Sequence, residues 1–482
     1  MSVDDILTIK LNSNDNVATA FNNIAKGEIT QHIKVENDIP KGHKIALKKI
    51  LKGEKIIKYD QIIGLARNDI NIGEHVHVEN TEFKSTEHDY EFSTSIRLPN
   101  FVPESQRPTF DGFKRPNGQV GTRNYIGILT SVNCSATAAR NIANAFDDNI
   151  LSQYPNVDGV VSFTHGTGCG MADSGDGFEA LQRVLLGYIQ HPNLAGVLLI
   201  GLGCEANQIK FLLDAYNLNE NPFFQTMTIQ EMGGLRKTIE EGIKRIHSML
   251  PEINQLKRSP QSVEHLSLAL QCGGSDAWSG ITSNPALGHA ADLLVKNGGT
   301  AVLAETPEIY GAEHLLTRRA INKTVGDKLV DRILWWEDYV SRNKGSLNNN
   351  PSPGNKAGGL TTILEKSLGA AAKGGTTPLN DVLLYAEKAK SKGFLFMDSP
   401  GYDPASVTGQ IATGCNLVSF TTGRGSAFGS KPSPSIKIAT NTEMYEHMKE
   451  DMDVNAGKVV TNNESIETVG SEIFDLLVRV AS

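Results

Sequence analysis

The stretch GVLLIGLGCE at residues 196–205 decides the fold class, because it is an apolar strand that ends in a glycine-rich loop. An apolar segment with helical spacing follows it from Ile209 to Tyr216. A buried strand, a tight loop and a helix in this order form one βα unit. The same order occurs earlier, where IGILT at residues 126–130 precedes Cys134 and a predicted helix from Ala136 to Phe146.

Further βα units occupy the carboxyl-terminal half of the chain. The predicted strands cover residues 266–271, 300–304, 394–397 and 435–439, and predicted helices cover residues 285–296 and begin again at Glu443. Repeated units of this kind favour parallel sheets with helices on both faces. We therefore predict an α/β fold whose main body contains mainly parallel, Rossmann-like sheets. Ligands of such sheets bind beyond the carboxyl ends of the strands.

The chain of 482 residues is long enough for about three domains. Short β-branched runs with glycine and proline between them predict a small β-domain at residues 1–83. A charged, proline-containing stretch at 84–109 is interpreted as an extended linker. A polar stretch near Pro251 to Glu264 then separates two α/β domains, at 110–255 and 260–482.

An insert from Lys344 to Gly359 is predicted to lack regular structure. It contains the run NNNPSPG at residues 348–354, in which glycine and prolines interrupt any helix or strand. We interpret it as a surface loop or a lid.

Composition excludes several classes of function. The formal charge of −8, with 39% hydrophobic and 21% charged residues, describes a mildly acidic globular protein and argues against nucleic-acid binding. No run reaches the roughly 20 apolar residues of a membrane span. The start MSVDD lacks the basic and apolar regions of a signal peptide. We expect a cytoplasmic protein with no membrane partner.

Three histidines near the amino terminus are the best indication of chemistry. His43 lies in GHK at residues 42–44, and GEHVH at residues 73–77 contains His75 and His77. Side chains alternate along a strand, so His75 and His77 point the same way. Imidazole is a common metal ligand and general base near neutral pH. The alternative is an ordinary pair of half-exposed strand histidines without a ligand.

Five cysteines follow predicted strands or occupy glycine-rich, loop-like settings. They are odd in number and contain no Cys-x-x-Cys pair, so we expect reduced thiols: Cys134, Cys169, Cys204, Cys272 and Cys415. One interpretation is that small residues simply permit tight turns between strand and helix. Another is an iron–sulfur centre that uses three of the five thiolates. The lack of a compact cysteine run argues against this centre, although clustering in space remains open.

Other motifs narrow the chemistry further. The sequence has no P-loop, no His-Glu-x-x-His and no Gly-x-Ser-x-Gly, and we infer that nucleotide chemistry and acyl-enzyme hydrolysis are disfavoured. Polar loops at residues 164–168, 271–276, 305–308 and 421–431 contain hydroxyl, amide, carboxylate and basic groups. Arginine binds carboxylates in bidentate fashion, while small polar side chains bind hydroxyls, so these loops suit a polyol acid.

Several multi-residue blocks resemble the altronate and galactarate dehydratase family. GHKIAL at 42–47, IKY at 57–59 and GEHVH at 73–77 resemble its amino-terminal SAF-type β-clip domain. The blocks of the main body that are similar to the same family are GFKRPNGQVGTRN at 112–124, HGTGCG at 165–170, GLGCE at 201–205, QCGGSD at 271–276 and GRGS at 423–426. The resemblance covers nearly the whole chain.

This resemblance implies a hydro-lyase that removes water from a sugar acid. The expected reaction converts D-altronate to 2-dehydro-3-deoxy-D-gluconate in hexuronate catabolism, with Fe²⁺ as cofactor and Mn²⁺ as a substitute. Proton removal beside a carboxylate needs a cation to stabilise the enolate-like species, together with a base and an acid. The residues assigned to these roles are His75 and His77 for the metal, His43 or Lys44 for proton transfer, Arg123 and Arg424 for the substrate carboxylate, and His165, Asp276 and Ser426 for hydroxyls, with His165 in the catalytic set.

Several alternatives remain open at this point. The chain could act on galactarate, or expel sulfite from sulfolactate, because the same scaffold carries these eliminations. The iron could be held by cysteine in the main body. A regulatory protein that binds a sugar acid without turnover is the alternative from another class. The sequence leaves a homodimer open.

Overall fold

The computed structural model describes residues 7–84 and 90–482. Residues 7–84 form a β-domain of short strands, as the resemblance implied. Its strands are β1 (Thr8–Ile9), β2 (Val17–Ala20), β3 (Ile29–Thr30), β4 (Ile33–Lys34), β5 (Lys44–Ala46), β6 (Lys55–Lys58), β7 (Gln61–Ala66), β8 (His75–Val76) and β9 (Thr81–Glu82).

Two small antiparallel sheets build this β-domain. One has the order β1-β2-β5-β8 and the other β6-β7-β9, while β3 and β4 pair as a separate hairpin. Ile56, Ile63 and Val76 lie in one buried core, and this core continues onto Leu368 of the third domain. The β-domain therefore buries one face against the main body.

The second domain follows at residues 109–262. Its elements are β10 (Thr109–Lys114), β11 (Val120–Gly121), β12 (Tyr125–Thr130), α1 (Ala136–Asn144), α2 (Asp148–Leu151), β13 (Gly159–Phe163), α3 (Asp176–Ile189), β14 (Leu194–Gly201), α4 (Ile209–Tyr216), β15 (Phe224–Thr228), α5 (Leu235–Ile253) and β16 (Ser259–Ser262). The four strands β13-β12-β14-β15 form a parallel sheet.

Alternation along β14 explains how helices cover both faces of this sheet. Leu198 packs with helices α1 and α5, whereas Leu199 packs with helices α3 and α4. Strands β10, β11 and β16 form a separate antiparallel sheet. The polar stretch around residue 255 is thus shorter than the sequence suggested, because α5 runs through Pro251 and the chain re-enters a strand at Ser259.

The third domain contains the larger sheet. Its elements are β17 (Ser267–Cys272), α6 (Ser283–Lys296), β18 (Thr300–Ala304), α7 (His314–Thr317), α8 (Lys323–Arg342), α9 (Pro353–Ala357), α10 (Ile363–Ala372), β19 (Leu379–Leu383), β20 (Gly393–Met397), α11 (Asp403–Thr413), β21 (Leu417–Thr422), β22 (Ser435–Ala439), α12 (Thr442–His447), β23 (Val454–Asn455), α13 (Lys458–Thr461) and α14 (Ile466–Ala481). Short 3₁₀ helices cover Glu104–Gln106, Asn133–Ser135, Val263–His265, Thr306–Glu308 and Leu347–Asn349.

All seven strands of this sheet are parallel, in the order β19-β20-β18-β17-β21-β22-β23. Helices α6 and α14 cover one face. Helix α11 covers the other face and packs against α3 of the second domain, so both α/β domains share a buried core. Gly187 of α3 permits this contact, since a Cβ there would lie 2.2 Å from the carbonyl oxygen of Ala412. The predicted fold class is confirmed.

Two segments were expected to be irregular, the insert at 344–359 and the linker at 84–109. The insert at 344–359 is not irregular: it forms a 3₁₀ turn and helix α9, whose Ser352 and Asn355 make a capping box. That prediction was wrong, because Asn355 is buried and its Nδ2 donates to Ser275 O at 2.7 Å. In the proposed linker, residues 85–89 lie outside the described residues. The part from residue 90 onward runs along the third domain, where Ser93 N donates to Thr317 O.

Within the described residues, no helix combines the length and apolar character needed to cross a membrane.

Candidate active site

The three amino-terminal histidines come together on one face of the β-domain. Strands β5 and β8 pair with Ile45 opposite His75 and Lys44 opposite Val76, which brings His43 opposite His77. His43 Nδ1 lies 3.0 Å from His75 Nε2, and the ring centroids of His43 and His77 lie 4.3 Å apart. One nitrogen from each ring lies within 4.8 Å of the others. We call His43, His75 and His77 the histidine cluster.

Burial keeps the histidine cluster uncharged. Desolvation, followed by the neighbouring rings and Lys44, lowers the pKa of His75 to about 4 and that of His77 to about 3. Desolvation also lowers the pKa of His43. Neutral imidazoles carry the free lone pairs that a metal ion requires.

Hydrogen bonds around the histidine cluster fit a divalent cation. The Nδ1 atom of His77 is buried and has no hydrogen-bond partner among the described residues. The Nε2 atom of His43 lies 3.2 Å from the carbonyl oxygen of Ala357, to which it donates. A ligating histidine commonly donates its second ring nitrogen to a backbone carbonyl, which fixes the tautomer. The donor set therefore suits a metal ion such as iron, manganese or zinc.

A buried ionic group fastens the β-domain beside this cluster. Glu365, on helix α10, lies between two lysines: Lys44 Nζ is 2.9 Å from Oε2 and Lys58 Nζ is 2.9 Å from Oε1. Thr361 adds two more donors to Oε2. All three charged side chains are almost fully buried.

Charge pairing sets the protonation of this group. Although burial opposes ionisation, Lys44 and Lys58 hold the pKa of Glu365 well below its usual range. Burial lowers the pKa of Lys44 to about 8, because one carboxylate cannot fully compensate two ammonium groups. Lys44 Nζ also donates to Gly359 O at 2.6 Å. With all its acceptors within the protein, Lys44 is placed to join domains rather than to meet a substrate.

The segment 357–359 forms the other half of this junction. Gly359 has a φ of +102°, and a Cβ there would lie 2.3 Å from the carbonyl oxygen of Gly42. The close backbone contact next to His43 therefore requires glycine. The insert that sequence reasoning treated as irregular positions the histidine cluster on the third domain.

Strand order places a crevice next to this junction. Chain connections diverge between β17 and β21, and open parallel sheets bind ligands at such a point. The loops after these strands contact each other, since Gly274 O accepts bonds from the backbone N–H groups of Gly423 and Arg424. A cavity of about 500 Å³ lies here. Its lining includes the charged residues Lys41, Asp276, Arg424 and Glu443, the imidazole of His447 and, in its wall, Ala357.

Arg424 and Asp276 differ in what they can offer to a ligand. The guanidinium of Arg424 is exposed and makes no hydrogen bond in the described part of the chain. Asp276 is buried, and its carboxylate accepts bonds from the backbone N–H groups of Trp278 and Ser279 and from the Thr440 hydroxyl. Arg424 is available for an anion, whereas Asp276 mainly organises its own turn.

A second buried cluster lies beneath the β17 loop. Cys272 Sγ is 2.9 Å from Lys373 Nζ and 3.5 Å from Glu308 Oε2, and Glu305 completes a second group able to hold a metal ion. Although burial opposes it, Lys366 and Lys373 lower the pKa of Glu308 to about 2. Burial and the Glu308 carboxylate raise the pKa of Glu305. Here the Lys373 ammonium already contacts the Cys272 sulfur, whereas all three ligands of the histidine cluster are neutral imidazoles.

Three residues named from the sequence lie apart from the histidine cluster or bind their own loop. His165 follows β13 in the second domain, where its Nε2 lies 2.8 Å from Thr130 O. Arg123 precedes β12, at the opposite end from the loops, and its guanidinium donates to the carbonyls of Thr122 and Val480. Ser426 lies in the loop after β21, where its Oγ accepts a bond from Phe428 N.

Sequence reasoning missed Glu365, Lys41, His447 and the Ala357 carbonyl. Glu365 is a single acidic residue in the largely apolar helix α10. Its role depends on its burial, which arises only when the β-domain packs against the third domain. Lys41 directly precedes the GHK motif in the sequence, but only the structure shows that it lines the cavity.

Family models cover all three domains. The SAF domain of altronate/galactarate dehydratases matches residues 6–84, the second domain of D-galactarate dehydratase/altronate hydrolase matches 112–254, and the carboxyl-terminal D-galactarate/altronate dehydratase domain matches 263–482.

Curated relatives match at nearly full length. The chain is 39% identical to altronate dehydratase of Bacillus subtilis over 98% of this chain and 95% of that one. It is 36% identical to altronate dehydratase of Escherichia coli, with coverage of 98% and 95%. It is 35% identical to the L-threo-forming galactarate dehydratase of Escherichia coli, with coverage of 98% and 92%.

Fold, site and relatives together define a hydro-lyase that dehydrates a sugar acid. The chain belongs to the altronate/galactarate dehydratase family.

Proposed function

We propose that this enzyme dehydrates D-altronate to 2-dehydro-3-deoxy-D-gluconate, with Fe²⁺, or Mn²⁺ in its place, held by His43, His75 and His77. The observation that carries the proposal is the histidine cluster itself, with three neutral rings and the unpartnered, buried Nδ1 of His77. Two altronate dehydratases among the relatives favour altronate over galactarate.

The balanced reaction breaks the C2–H and C3–O bonds of altronate and forms a C2–C3 double bond. Water leaves with the C3 oxygen, and the resulting enol tautomerises to the 2-keto acid. The ion, when bound, supplies Lewis acidity toward the substrate's oxygen atoms. The protein must supply the carboxylate anchor, the proton acceptor and a fixed geometry.

Charge in the cavity supports the anchoring role. Arg424 can bind a carboxylate bidentately, whereas the ammonium of Lys41 in the same cavity is paired with Glu443 at 2.7 Å. Asp276 holds the β17 loop in place through its bonds to Ser279 and Thr440. The substrate carboxylate therefore binds between the β17 and β21 loops.

His447 is the group to which we assign the C2 proton. It lines the same cavity as Arg424, and it is not part of the histidine cluster. Lys44 is less suited, because Gly359 O and both oxygens of Glu365 already accept its three protons. His43 is assigned to the ion rather than to proton transfer, because its second ring nitrogen donates to Ala357 O.

The test is a substrate panel under anaerobic conditions. Chelator-stripped protein is assayed with altronate, galactarate and sulfolactate, with and without added Fe²⁺ or Mn²⁺, and 2-keto-3-deoxy acid or sulfite is measured. We expect ion-dependent product from altronate at the highest kcat/KM. Faster turnover of galactarate, or release of sulfite from sulfolactate, would show that altronate is not the preferred substrate. Binding of altronate without turnover by any ion-loaded form would overturn the proposal.

A pair of variants tests the metal site independently of the substrate. His77→Ala should lose both bound Mn²⁺ and activity. His32→Asn is the control, because His32 lies in the same β-domain at an exposed turn with a φ of +66°, which asparagine tolerates. Equal Mn²⁺ content in the two variants would show that the histidine cluster does not hold the ion.

A further inference from the structure

Three cysteines of the second domain lie beyond the carboxyl ends of three neighbouring parallel strands. Cys134 follows β12, Cys169 follows β13 and Cys204 follows β14. The strand order is β13-β12-β14, so these strands are adjacent. Neighbouring strands are about 4.8 Å apart, so three of them span roughly 10 Å. All three thiols are free and exposed, whereas Cys272 and Cys415 are buried.

Hydrogen bonds join the three cysteine-bearing loops. Beside Cys134, the backbone N–H of Asn133 donates to Thr167 O at 2.9 Å. Beside Cys169, Gly168 O accepts from Asn207 N at 3.1 Å. Asn207 belongs to the Cys204 loop, and its Nδ2 also donates to Ser131 O at 3.0 Å. The loops therefore form one structural unit rather than three independent turns.

Close packing of glycine brings the loops together. Gly168 has a φ of +99°, and a Cβ there would lie 2.3 Å from Ser131 O. Glu205 is buried after Cys204, and its Oε1 accepts a bond from the Ser131 hydroxyl at 2.6 Å. Every one of these contacts holds a cysteine-bearing loop against its neighbour at the same sheet edge. The carboxyl edge of a parallel sheet is where ligands bind.

Chemistry at the sulfur atoms also indicates a ligand. The amide nitrogen of Gln230 donates to Cys204 Sγ at 3.2 Å, as donors do to ligating thiolates. A single tetrahedral ion needs thiolate sulfurs about 3.8 Å apart. Among the described residues, the two groups compact enough for a single ion are the histidine cluster and the Cys272 group. Cys134, Cys169 and Cys204 are in neither group, which argues against one ion held by all three and in favour of a larger cofactor.

We propose that Cys134, Cys169 and Cys204 bind an iron–sulfur cluster of the [4Fe–4S] type, whose fourth iron is open to an oxygen ligand such as a hydroxycarboxylate. Binding is a ligand exchange on a preformed [4Fe–4S]²⁺ core. Three thiolates replace three small thiolate ligands, and each departing ligand takes up the proton that a cysteine loses. No electrons move. The site is separate from the histidine cluster and does not rest on the proposed substrate.

The test uses the full-length protein and a preformed [4Fe–4S]²⁺ cluster ligated by a small thiol. After anaerobic incubation and desalting, we measure iron, acid-labile sulfide, the visible absorption of the cluster and the electron paramagnetic resonance of the reduced form. We expect about four iron and four sulfide per chain. Adding a hydroxycarboxylate should shift the resonance of the reduced cluster, because it binds the open iron.

Alanine variants assign the ligands. Cys134→Ala, Cys169→Ala and Cys204→Ala should each lose most of the bound sulfide, while Cys415→Ala, a buried cysteine of the third domain, should keep it. Mn²⁺ binding at the histidine cluster and a thermal unfolding curve report whether each variant is folded.

Three results would overturn the proposal: a colourless wild-type protein without sulfide, equal sulfide in the three variants and the control, or a single iron without sulfide. Because the measurement needs no turnover, its outcome does not depend on whether the protein dehydrates altronate.

Discussion

Replacing Glu365 with glutamine is expected to release the β-domain from the third domain. Among residues 7–84 and 90–482, Glu365 is the one carboxylate that accepts bonds from both Lys44 and Lys58, and all three side chains are buried. Glutamine preserves the shape but removes the negative charge. Two ammonium groups would then remain in the interface without a counter-charge.

The size of the effect follows from burial. Breaking a buried ion pair by removing one partner costs about 3–5 kcal/mol, because a charge is left uncompensated. Since 1.36 kcal/mol corresponds to a factor of ten, the interface should open about 10²- to 10⁴-fold more often. The histidine cluster would move with the β-domain, because His43 adjoins Lys44 on β5.

Hydrogen exchange followed by mass spectrometry measures this opening directly. Peptides that contain β5 and β6 should exchange faster in Glu365→Gln, while peptides from β14 keep the wild-type rate. Glu443→Gln is the control: its ion pair with Lys41 is exposed, with 77% of the Glu443 side chain accessible, and exposed pairs contribute less than about 1 kcal/mol.

Equal protection of the β5 amides from exchange in Glu365→Gln and Glu443→Gln would contradict this prediction. That result would mean that apolar contacts, such as those of Ile56 and Leu368, hold the domains together without help from the buried charges.

Three further predictions concern the same junction and cavity. Gly359→Ala should lower Tm and Mn²⁺ affinity, measured by calorimetry and titration, because the new Cβ would meet Gly42 O; an unchanged Tm would contradict it. Arg424→Gln should raise KM for altronate about tenfold or more in steady-state assays, whereas exposed Arg67→Gln should not. The lowered pKa of Glu365 means that its ionised carboxylate stabilises the fold at any pH above 4.5, the pKa of the unfolded state. This stabilisation is lost as the pH falls below 4.5 and the carboxylate becomes protonated. Wild-type unfolding free energy should therefore fall more steeply below pH 4.5 than that of Glu365→Gln.

Local sequence patterns were enough to predict most βα units. Helix α4 begins and ends at the predicted Ile209 and Tyr216, and β18 covers the predicted residues 300–304. Apolar strands buried on both faces and glycine at their ends are signals contained within about ten residues. The pair His75 and His77 was predictable for the same reason, because strand alternation is a local property.

Contacts distant in sequence were not predictable in this way. Residues 344–359 look irregular because their helix α9 is short, and it is ordered by capping and by Asn355 binding Ser275 O. Arg123 has a suitable charge for a carboxylate, yet the carbonyl of Val480 binds it. The role of Glu365 depends on two lysines more than 300 positions away. Such partners emerge only when domains pack.

The histidine cluster is assigned the ion required for dehydration. Mn²⁺ is the best probe of this assignment, because manganese does not build iron–sulfur clusters and because its binding and the activity can be measured on one sample. We predict that wild type and His32→Asn bind one Mn²⁺ per chain and dehydrate altronate in proportion to it, while His77→Ala does neither. Retention of Mn²⁺-dependent turnover by His77→Ala would show that the required ion is held elsewhere.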